Sequence, residues 1–423
     1  MTAASASSDA SAPTKLAGRQ LFEKLGKPKT IVAPMVDQSE LAWRILSRRH
    51  GADLCYTPMF HAKLFGTSER YREEMFGPMD GDQTTDRPLV VQFCANDPDE
   101  LLAAAKLVED RCDAVDLNLG CPQGIARKGH YGSFLMEDWD LIHKLINKLH
   151  LELKVPVTAK MRVFDDRDKT LEYAKMIINA GAQFLTIHGR TREMKGQQTG
   201  LADWEIIKYV RENLPKDTVV FANGNVLYSE DIEKCMEETT TDAVMSAEGN
   251  LYNPAIFNKP TDKDVNFPRV DKMLREYFEI VKETPGKASN TAMKSHFFKI
   301  LHSFLPVETE LRAEIGRTSK AGFDVWEKIV QKVEEKVAKI YEDPNVNDEV
   351  VIGEEEAWGG AYRTVPYWRC QPYFRRCNGE KANTMVSRQQ KEAAEAKKKR
   401  EAESGDETDK EDKETDTKKA KLE

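Results

Sequence analysis

A cysteine stands near the end of an apolar run in the string Val-Asp-Leu-Asn-Leu-Gly-Cys-Pro-Gln, residues 115–123. The run Ala114–Leu117 is typical of a buried strand, and the polar, glycine and proline residues over 118–122 break it into a turn. A thiol at the tip of a parallel strand is placed for chemistry. Cys121 could equally be a small buried hydrophobic residue beside a tight turn, which is the usual place of an unpaired cysteine.

Two reactions suit a thiol in this position. An ordinary thiol has a pKa of about 8.5, so it is mostly protonated at neutral pH and can donate a proton. If hydride is delivered to one carbon of an activated double bond, the neighbouring carbon becomes carbanionic and needs an acid, which Cys121 could be. A nucleophilic thiolate would instead need a base within reach. The nearby Arg127, Lys128 and His130 could favour the thiolate, so the residues alone leave both roles open.

Further polar groups follow other short apolar runs. Lys160 offers a fixed positive charge to a cofactor that becomes negative on reduction, and Gln92 offers a donor and an acceptor on one planar amide. His188 could bond a phosphate or a ring oxygen, or be a hydrogen-bonded core histidine. Glycine-containing segments at 223–225 and 247–249 would let backbone N–H groups approach a phosphate. Together these groups indicate a planar ring cofactor with one phosphate and an anionic reduced form, which describes FMN.

These groups must be positioned by the elements that carry them, and short apolar runs alternate with helical patterns between residues 31 and 247. The predicted strands are Ile31–Met35, Leu54–Thr57, Leu89–Phe93, Ala114–Leu117, Val157–Lys160, Phe184–His188, Val219–Asn223 and Ala243–Ala247. The predicted helices include Leu41–Arg49, Glu100–Asp110, Trp139–Leu149, Leu171–Asn179, Trp204–Asn213 and Glu230–Glu237. Eight such units predict an α/β fold, a (β/α)8 TIM barrel, whose active site lies at the carboxyl ends of the strands. An open doubly wound sheet is the alternative, but its Gly-x-Gly-x-x-Gly turn is absent.

Composition restricts the class of protein. A chain of 423 residues with 40% hydrophobic residues can bury a barrel-sized domain and a smaller one. Its apolar runs are all shorter than the roughly 18 residues that span a bilayer. Seven scattered cysteines indicate a reducing compartment, and Cys370 with Cys377 lacks the partners of a zinc site. Residues 1–13 resemble no signal or transit peptide, so we expect a protein that is cytoplasmic and/or nuclear. We also expect a monomer without a bound metal ion.

Four motifs occur in order along the chain: Asp-Leu-Asn-Leu-Gly-Cys-Pro at 116–122, Lys-Met-Arg at 160–162, His-Gly-Arg at 188–190 and Asn-Gly-Asn at 223–225. In this order and spacing they resemble the tRNA-dihydrouridine synthases, and the resemblance covers about residues 25–345. The strings at 33–43 and 358–374 are closest to the fungal branch that is named for tRNA positions 16 and 17.

The resemblance implies FMN as cofactor, NADPH or NADH as reductant, tRNA as substrate, and reduction of a uracil 5,6 double bond in the D-loop. It implies that Cys121 is the proton donor and that Asn118 and Arg162 face the uracil. The residues that it places around FMN are Pro34, Met35, Val36, Gln92, Lys160, His188, Asn223, Gly224, Asn225, Ala247 and Glu248.

Five segments are expected along the chain. They are a partly disordered N-terminal extension at 1–24, an FMN-binding TIM barrel at 25–265, a helical tRNA-binding domain at 266–345, an Arg/aromatic strap at 346–379 and a disordered charged tail at 380–423. Helical patterns such as Met273–Lys282, Ala292–Phe304 and Val325–Tyr341 predict the helical domain. Its residues Lys294, His296 and Lys299 would lie near one face, which could bind RNA or be ordinary solvated surface.

Residues 358–376 contain Arg363, Arg369, Arg375 and Arg376 with six aromatic residues and no acid. This composition suits unpaired bases and phosphates, although the segment could instead pack on the barrel. Two other functions are compatible with the fold, a flavin barrel oxidoreductase that acts on a free pyrimidine and a catalytically silent tRNA-binding protein. The helical extension and the arginines favour RNA over a free pyrimidine, and intact Cys121 favours an enzyme.

Overall fold

A computed structural model describes residues 16–196, 199–286, 288–318, 320–355, 361–373, 376–377 and 380–381. Its main sheet consists of β1 (Thr30–Val32), β2 (Leu54–Tyr56), β3 (Phe60–His61), β4 (Leu89–Cys94), β5 (Ala114–Leu119), β6 (Val157–Arg162), β7 (Phe184–His188), β8 (Val219–Asn223) and β9 (Ala243–Ser246). All strands are parallel, and the sheet closes because β1 pairs with β9 while β2 pairs with both β1 and β4. Without the two-residue β3, which pairs only with β4, eight strands form the predicted (β/α)8 barrel.

Helices surround this barrel and continue beyond it. They are α1 (Gly18–Lys24), α2 (Leu41–Arg49), α3 (Ala62–Thr67), α4 (Glu69–Met75), α5 (Pro98–Lys106), α6 (Gly124–Gly129), α7 (Trp139–Glu152), α8 (Arg167–Asn179), α9 (Trp204–Asn213), α10 (Glu230–Thr239), α11 (Glu248–Tyr252), α12 (Lys263–Asn266), α13 (Val270–Glu283), α14 (Asn290–Ile300), α15 (Thr309–Arg317) and α16 (Phe323–Tyr341). Aspartates at the starts of several helices accept backbone N–H groups, as Asp97 and Asp166 do for α5 and α8. Among the described residues no helix is long and apolar enough to cross a membrane.

Two strands extend further than the apolar pattern predicts. Strands β5 and β6 remain paired through Asn118 opposite Lys160 and Leu119 opposite Met161. Their polar side chains alternate with apolar ones, so the polar ones share the inner side of the barrel wall. The opposite happens in β1, which ends at Val32 rather than Met35. Pro34 lacks the N–H that another ladder bond would need.

The amino end of the barrel is closed by apolar packing. Helix α1 places Leu21 and Phe22 in one buried cluster with Phe184 and Phe221 from β7 and β8. The ring centroids of Phe22 and Phe221 lie 6.2 Å apart. This end therefore offers no cleft to a polar ligand, and the polar strand ends lie on the other side.

The helical segment after the barrel packs against α2. His296 on α14 is fully buried and stacks on Trp43 with 4.0 Å between the ring centroids, and its Nε2 lies 3.0 Å from Glu40 Oε2. His296 is therefore enclosed and does not lie on a face that is open to RNA or to solvent. Lys294 instead donates to backbone carbonyl oxygens at the end of α15.

The segment 361–373 is anchored to the rest of the protein by Arg369, which is buried. Arg369 is 1% exposed, its Nε donates to Asp348 Oδ1 at 2.7 Å, and its Nη2 donates to Asp264 Oδ1 at 2.8 Å. Arg369 is thus unable to reach a phosphate of RNA, which corrects its assignment as an RNA contact. Arg363 donates to Glu230 at 2.6 Å.

Parts of the expected segments lie outside the described residues. Arg375, the side chain of Arg376 and Trp358 lie outside the described residues, as do residues 1–15 and 382–423 of the expected extension and tail. Contacts divide the chain into a unit of 1–193 and 202–373 and a small unit of 194–201 and 374–423. In the small unit Arg376–Cys377 pairs antiparallel with Glu380–Lys381.

Candidate functional site

Cys121 is held at both of its backbone groups. Its N–H donates to Asn118 Oδ1 at 2.9 Å, and its carbonyl oxygen accepts from the N–H of Ser133 at 3.1 Å and from the hydroxyl of Ser133 at 3.0 Å. Gly132 has a φ of +64°, and a Cβ there would lie 2.8 Å from the carbonyl oxygen of Cys121. Only glycine fits this position, so Gly132 allows the backbone to pass this close to Cys121.

Tyr131, the residue before Gly132, belongs to a small cluster that contacts the cysteine loop. Tyr131 is buried in a small cluster with Cys94 and Ala126, against which Cys121 packs. Cys121 itself is half-buried, whereas the other cysteines whose side chains are described are buried. It is therefore the cysteine best placed to meet a ligand in the described part of the chain.

A chain of side-chain hydrogen bonds runs from the barrel interior to this loop. Thr158 donates to Asp116 Oδ1 at 2.6 Å, and Gln92 Nε2 donates to Asp116 Oδ2 at 2.8 Å. Gln92 Oε1 accepts from Asn118 Nδ2 at 2.8 Å. Gln92 is fully buried, so it lies below the surface that a ligand would meet. That Gln92 lines FMN stays a prediction, while its place in this chain is observed.

Lys160 lies on β6, the strand next to the one that leads into the cysteine loop. Its Nζ donates to Asn223 Oδ1 at 2.8 Å, and Asn223 Nδ2 donates to Met245 O at 2.8 Å, which fixes the direction of the amide. Burial, followed by the positive charge of Arg162, lowers the pKa of Lys160 to about 7. The ammonium form is therefore disfavoured here and would gain from a nearby anion.

Arg162 connects two loops of the same face. Its Nε donates to Gly120 O at 2.8 Å and its Nη1 donates to Thr191 O at 2.7 Å. Burial lowers its pKa to about 10, so the guanidinium stays charged at neutral pH. Arg162 thus supports the turn that carries Cys121, beside any contact that it makes to a substrate.

His188 has a defined tautomer in this arrangement. Burial, with the charges of Arg162 and Lys160, lowers its pKa well below the ordinary value, so the ring is neutral at neutral pH. Its Nε2 lies 3.0 Å from Nη1 of Arg190, which is always a donor. The proton of His188 is therefore on Nδ1, which can donate a hydrogen bond to an oxygen of a phosphate or a ring.

The loop after β8 brings backbone close to these cations. Gly224 has a φ of +120°, and a Cβ there would lie 2.5 Å from the Cβ of Ala202. Asn225 accepts from Ala202 N at 2.8 Å and from Arg190 Nη2 at 3.1 Å. The predicted 223–225 segment is thus joined to His188 through Arg190.

The remaining predicted residues lie around the rim. Ala247 directly precedes α11, which begins at Glu248, and the charge of Glu248 acts on Lys299 of α14. Met35 is half-buried against the core, and its N–H donates to Ser39 Oγ at 3.0 Å. Pro34 is half-buried beside it, whereas Val36 is 53% exposed. All predicted site residues therefore lie at the carboxyl ends of the strands, and their contacts with a ligand stay predictions.

Comparison with known proteins agrees with this arrangement. Residues 31–349 match the family model described as dihydrouridine synthase (Dus). The chain belongs to the dihydrouridine synthase family. It is 68% identical over 372 residues to the tRNA-dihydrouridine(16/17) synthase, NAD(P)(+), of Saccharomyces cerevisiae, covering 86% of this chain and 88% of that protein.

More distant relatives carry the same kind of name. The protein of that name from Schizosaccharomyces pombe is 49% identical over 369 residues, which cover 86% of this chain and 92% of the relative. A protein of Mus musculus named as like this synthase is 45% identical over 365 residues, which cover 85% of this chain and 71% of the relative. This dihydrouridine synthase therefore has relatives in fungi and mammals that match over most of its length.

Sequence reasoning missed two residues that support the site in this dihydrouridine synthase. Asp116 was read as part of an apolar strand, although it stands two positions before Asn118 and so shares its side of the strand. That spacing was the signal that could have found it. Ser133 lies twelve residues beyond Cys121, and no pattern in the sequence marks their contact.

Proposed function

We propose that this chain is a tRNA-dihydrouridine synthase, an oxidoreductase that uses FMN and NADPH or NADH to reduce the 5,6 double bond of D-loop uridines at positions 16 and 17. The names of its relatives supply the substrate, the positions and the nicotinamide. The observation that carries the proposal is the placement of Cys121, half-buried and held at both backbone groups beside a set of cations at the carboxyl end of the barrel.

The residues present fit FMN. The ring of the reduced cofactor is anionic, and Lys160 has a lowered pKa that an adjacent anion would raise again. The phosphate would lie near the Gly224 loop and Nδ1 of His188, since a donor and a side-chain-free backbone both suit an anion. Asn223, Asn225, Ala247 and Glu248 would complete this side, and Pro34, Met35 and Val36 the side of β1. FMN, when bound, supplies the two-electron chemistry.

The chain itself supplies the proton. Reduction of the double bond adds hydride to one carbon and a proton to its neighbour, and we assign the proton to the Cys121 thiol. Arg162 and Asn118 would hold the uracil against this thiol by hydrogen bonds. The base is inaccessible while it is stacked in folded tRNA, so it must be extruded into the barrel mouth. Residues 266–345 would hold the rest of the tRNA.

Replacement of Cys121 tests the proposal. Wild-type protein should form dihydrouridine at positions 16 and 17 of tRNA when NADPH is supplied. Cys121→Ala should lower this rate by about 10²- to 10⁴-fold, since loss of a general acid has this effect. Flavin content and NADPH oxidation without tRNA should persist, because they do not use the thiol.

The buried Cys112 provides the matched control, since it precedes β5 and Cys121 follows β5, so Cys112→Ala removes a thiol at the opposite end of that strand. Mass spectrometry of the tRNA measures the product. A wild-type rate in Cys121→Ala contradicts the assignment of the proton donor. Reduction of free uracil in preference to tRNA, or tRNA binding without any flavin, would contradict the proposed function itself.

A further inference from the structure

Asp116 lies one layer below the site and touches neither the cysteine nor the proposed ligands. It is fully buried on β5 and accepts hydrogen bonds from Thr158 on β6 and Gln92 on β4. Burial raises its pKa to about 6, while the hydrogen bonds from Thr158 and Gln92 and the charge of Lys160 oppose this rise, so the group is mostly a carboxylate at neutral pH. An ionised carboxyl group inside a barrel is unfavourable unless it is well bonded, so its position needs a reason.

The carboxylate decides the direction of the amides above it. A carboxylate only accepts, so Gln92 must turn its amide nitrogen toward Asp116 and its oxygen toward Asn118. Asn118 must then turn its nitrogen toward Gln92, and the Gln92 Oε1 to Asn118 Nδ2 distance is 2.8 Å. Asn118 Oδ1 is left facing the loop, where it accepts the N–H groups of Gly120 at 3.1 Å and Cys121 at 2.9 Å.

Reversing this series of hydrogen bonds would release the loop that carries Cys121. If a donor faced Gln92 at position 116, the Gln92 amide would turn over and present its nitrogen to Asn118. Asn118 would then turn over as well, and its nitrogen would face the N–H groups of the loop, so two donors would meet. Buried donors without acceptors are costly, so the loop would move. The directions of the three hydrogen bonds that connect Asp116 to Cys121 are therefore set by the carboxylate of Asp116.

We propose that Asp116 is a positioning residue, which holds Cys121 in place for proton transfer through the ordered amides of Gln92 and Asn118. This role rests on the proposed function only for the identity of the reaction. The geometry of the chain stands without it. A displacement of about 1 Å at a reacting group can cost about 10²-fold in rate, so a chain that fixes the loop has a measurable effect.

Two nearly isosteric replacements test the direction of these hydrogen bonds and leave the packing almost unchanged. In Asp116→Asn, the Thr158 hydroxyl can accept from the new amide nitrogen, so the amide oxygen still faces Gln92 and the order survives. In Thr158→Val, the carboxylate still orders Gln92. In the double variant the asparagine loses its partner on β6, and nothing fixes which of its ends faces Gln92. The effect should therefore be larger in the double variant than the single effects predict.

Two measurements on the purified full chain decide this. The first is the rate at which iodoacetamide alkylates Cys121, followed by mass spectrometry of its peptide. The second is dihydrouridine formation in tRNA compared with NADPH oxidation without tRNA. Each single variant should stay within about threefold of wild type, whereas the double variant should alkylate about tenfold faster and form product about tenfold more slowly.

The outcomes separate this proposal from the proposed function. Single effects that multiply to give the double effect, or a double variant that alkylates at the wild-type rate, overturn the role of Asp116. Faster alkylation with unchanged product formation also overturns it, because the loop would then be held without consequence for the reaction. If the wild-type chain forms no dihydrouridine, the proposed function fails, and alkylation still decides whether Asp116 orders the loop.

Discussion

Arg44 and Arg162 are both buried arginines, but the regions that hold them differ in charge. On the flank of the barrel, Arg44 donates to Asp86 at 2.9 and 2.5 Å and to Asp80 at 2.9 Å. Burial by itself would lower the pKa of Arg44, yet Asp86 and Asp80 raise it above the ordinary value. At the carboxyl end, Arg162 donates to two backbone carbonyl oxygens, and burial lowers its pKa to about 10.

The flank contributes to the stability of the protein, whereas the carboxyl end is suited to binding a ligand. The flank neutralises its cation with two carboxylates, and such a cluster is costly to break from one side. The carboxyl end gathers Lys160, Arg162 and Arg190 around a neutral His188, and the charged form of Lys160 is disfavoured there. A region of this kind lowers the stability of the protein alone and favours an anionic ligand. Titratable groups with such shifts cluster at functional sites.

The largest effect should come from breaking the flank. Arg44→Met removes the guanidinium that Asp80 and Asp86 share, leaves Asp86 the longer ion pair with Arg48 at 3.7 Å, and should lower the free energy of unfolding by about 3–5 kcal/mol. Urea unfolding at neutral pH measures this change. The matched control is Arg49→Met on the same helix, because Arg49 is half exposed and its surface ion pairs should contribute at most about 1 kcal/mol. Equal changes in the two variants would remove the contrast between the regions.

Replacement of Lys160 should affect flavin binding and flavin reduction rather than stability. Lys160→Met should lower flavin retention and the rate of flavin reduction by NADPH by about tenfold or more, which corresponds to about 1.4 kcal/mol. The stability of the flavin-free protein should not fall, because a cation in an unfavourable site has been removed. Anaerobic stopped-flow and thermal unfolding measure the two properties. The control is the surface variant Lys175→Met, whose ion pair with Glu172 is exposed. A stability loss with unchanged flavin reduction would assign Lys160 to a structural role.

A smaller effect is expected in the proton balance of cofactor binding. The pKa of Lys160 is about 7 in the protein, so between pH 7 and its ordinary value of 10.5 the amine is mostly neutral. An anionic cofactor raises this pKa, so binding should take up a fraction of one proton in that window and none well below pH 7. Titration calorimetry of FMN in two buffers of different ionisation enthalpy measures the uptake. It should disappear in Lys160→Met, and uptake that persists there belongs to another group.

The smallest effect is expected for Arg363, because it already has a carboxylate partner, as Arg44 does on the flank. Arg363 is paired with Glu230, so Arg363→Gln should leave the salt dependence of tRNA affinity nearly unchanged. If Arg375 and Arg376 contact phosphates as the sequence predicts, their joint replacement by Gln should reduce the slope by about 2, since each contact contributes about 0.9. Affinities at several salt concentrations provide the test. A clear change in slope for Arg363→Gln would show that its ion pair opens for RNA.

The barrel and the end at which the site lies follow from the pattern of residues along the chain. Apolar runs at barrel spacing predicted all eight strands, and α2 and α9 have the predicted bounds. Parallel strands all present their carboxyl ends on one side, so polar residues that follow each run must meet there. Cys121, Lys160 and His188 were found for this reason, since strand position alone placed them on one face.

Which charged and polar groups already have a partner became visible only in the folded protein. Arg369 looked like an RNA contact until Asp264 was found beside it, 105 positions away in sequence. Gln92 stays a predicted ligand contact, and its hydrogen bond to Asp116 on the neighbouring strand could not be read from the sequence. Periodicity along one strand reports which side a residue faces, and it carries no information about the partner across the barrel. Hydrogen bonds and ion pairs depend on distances of a few tenths of an ångström between distant segments, which are set only when the chain has folded.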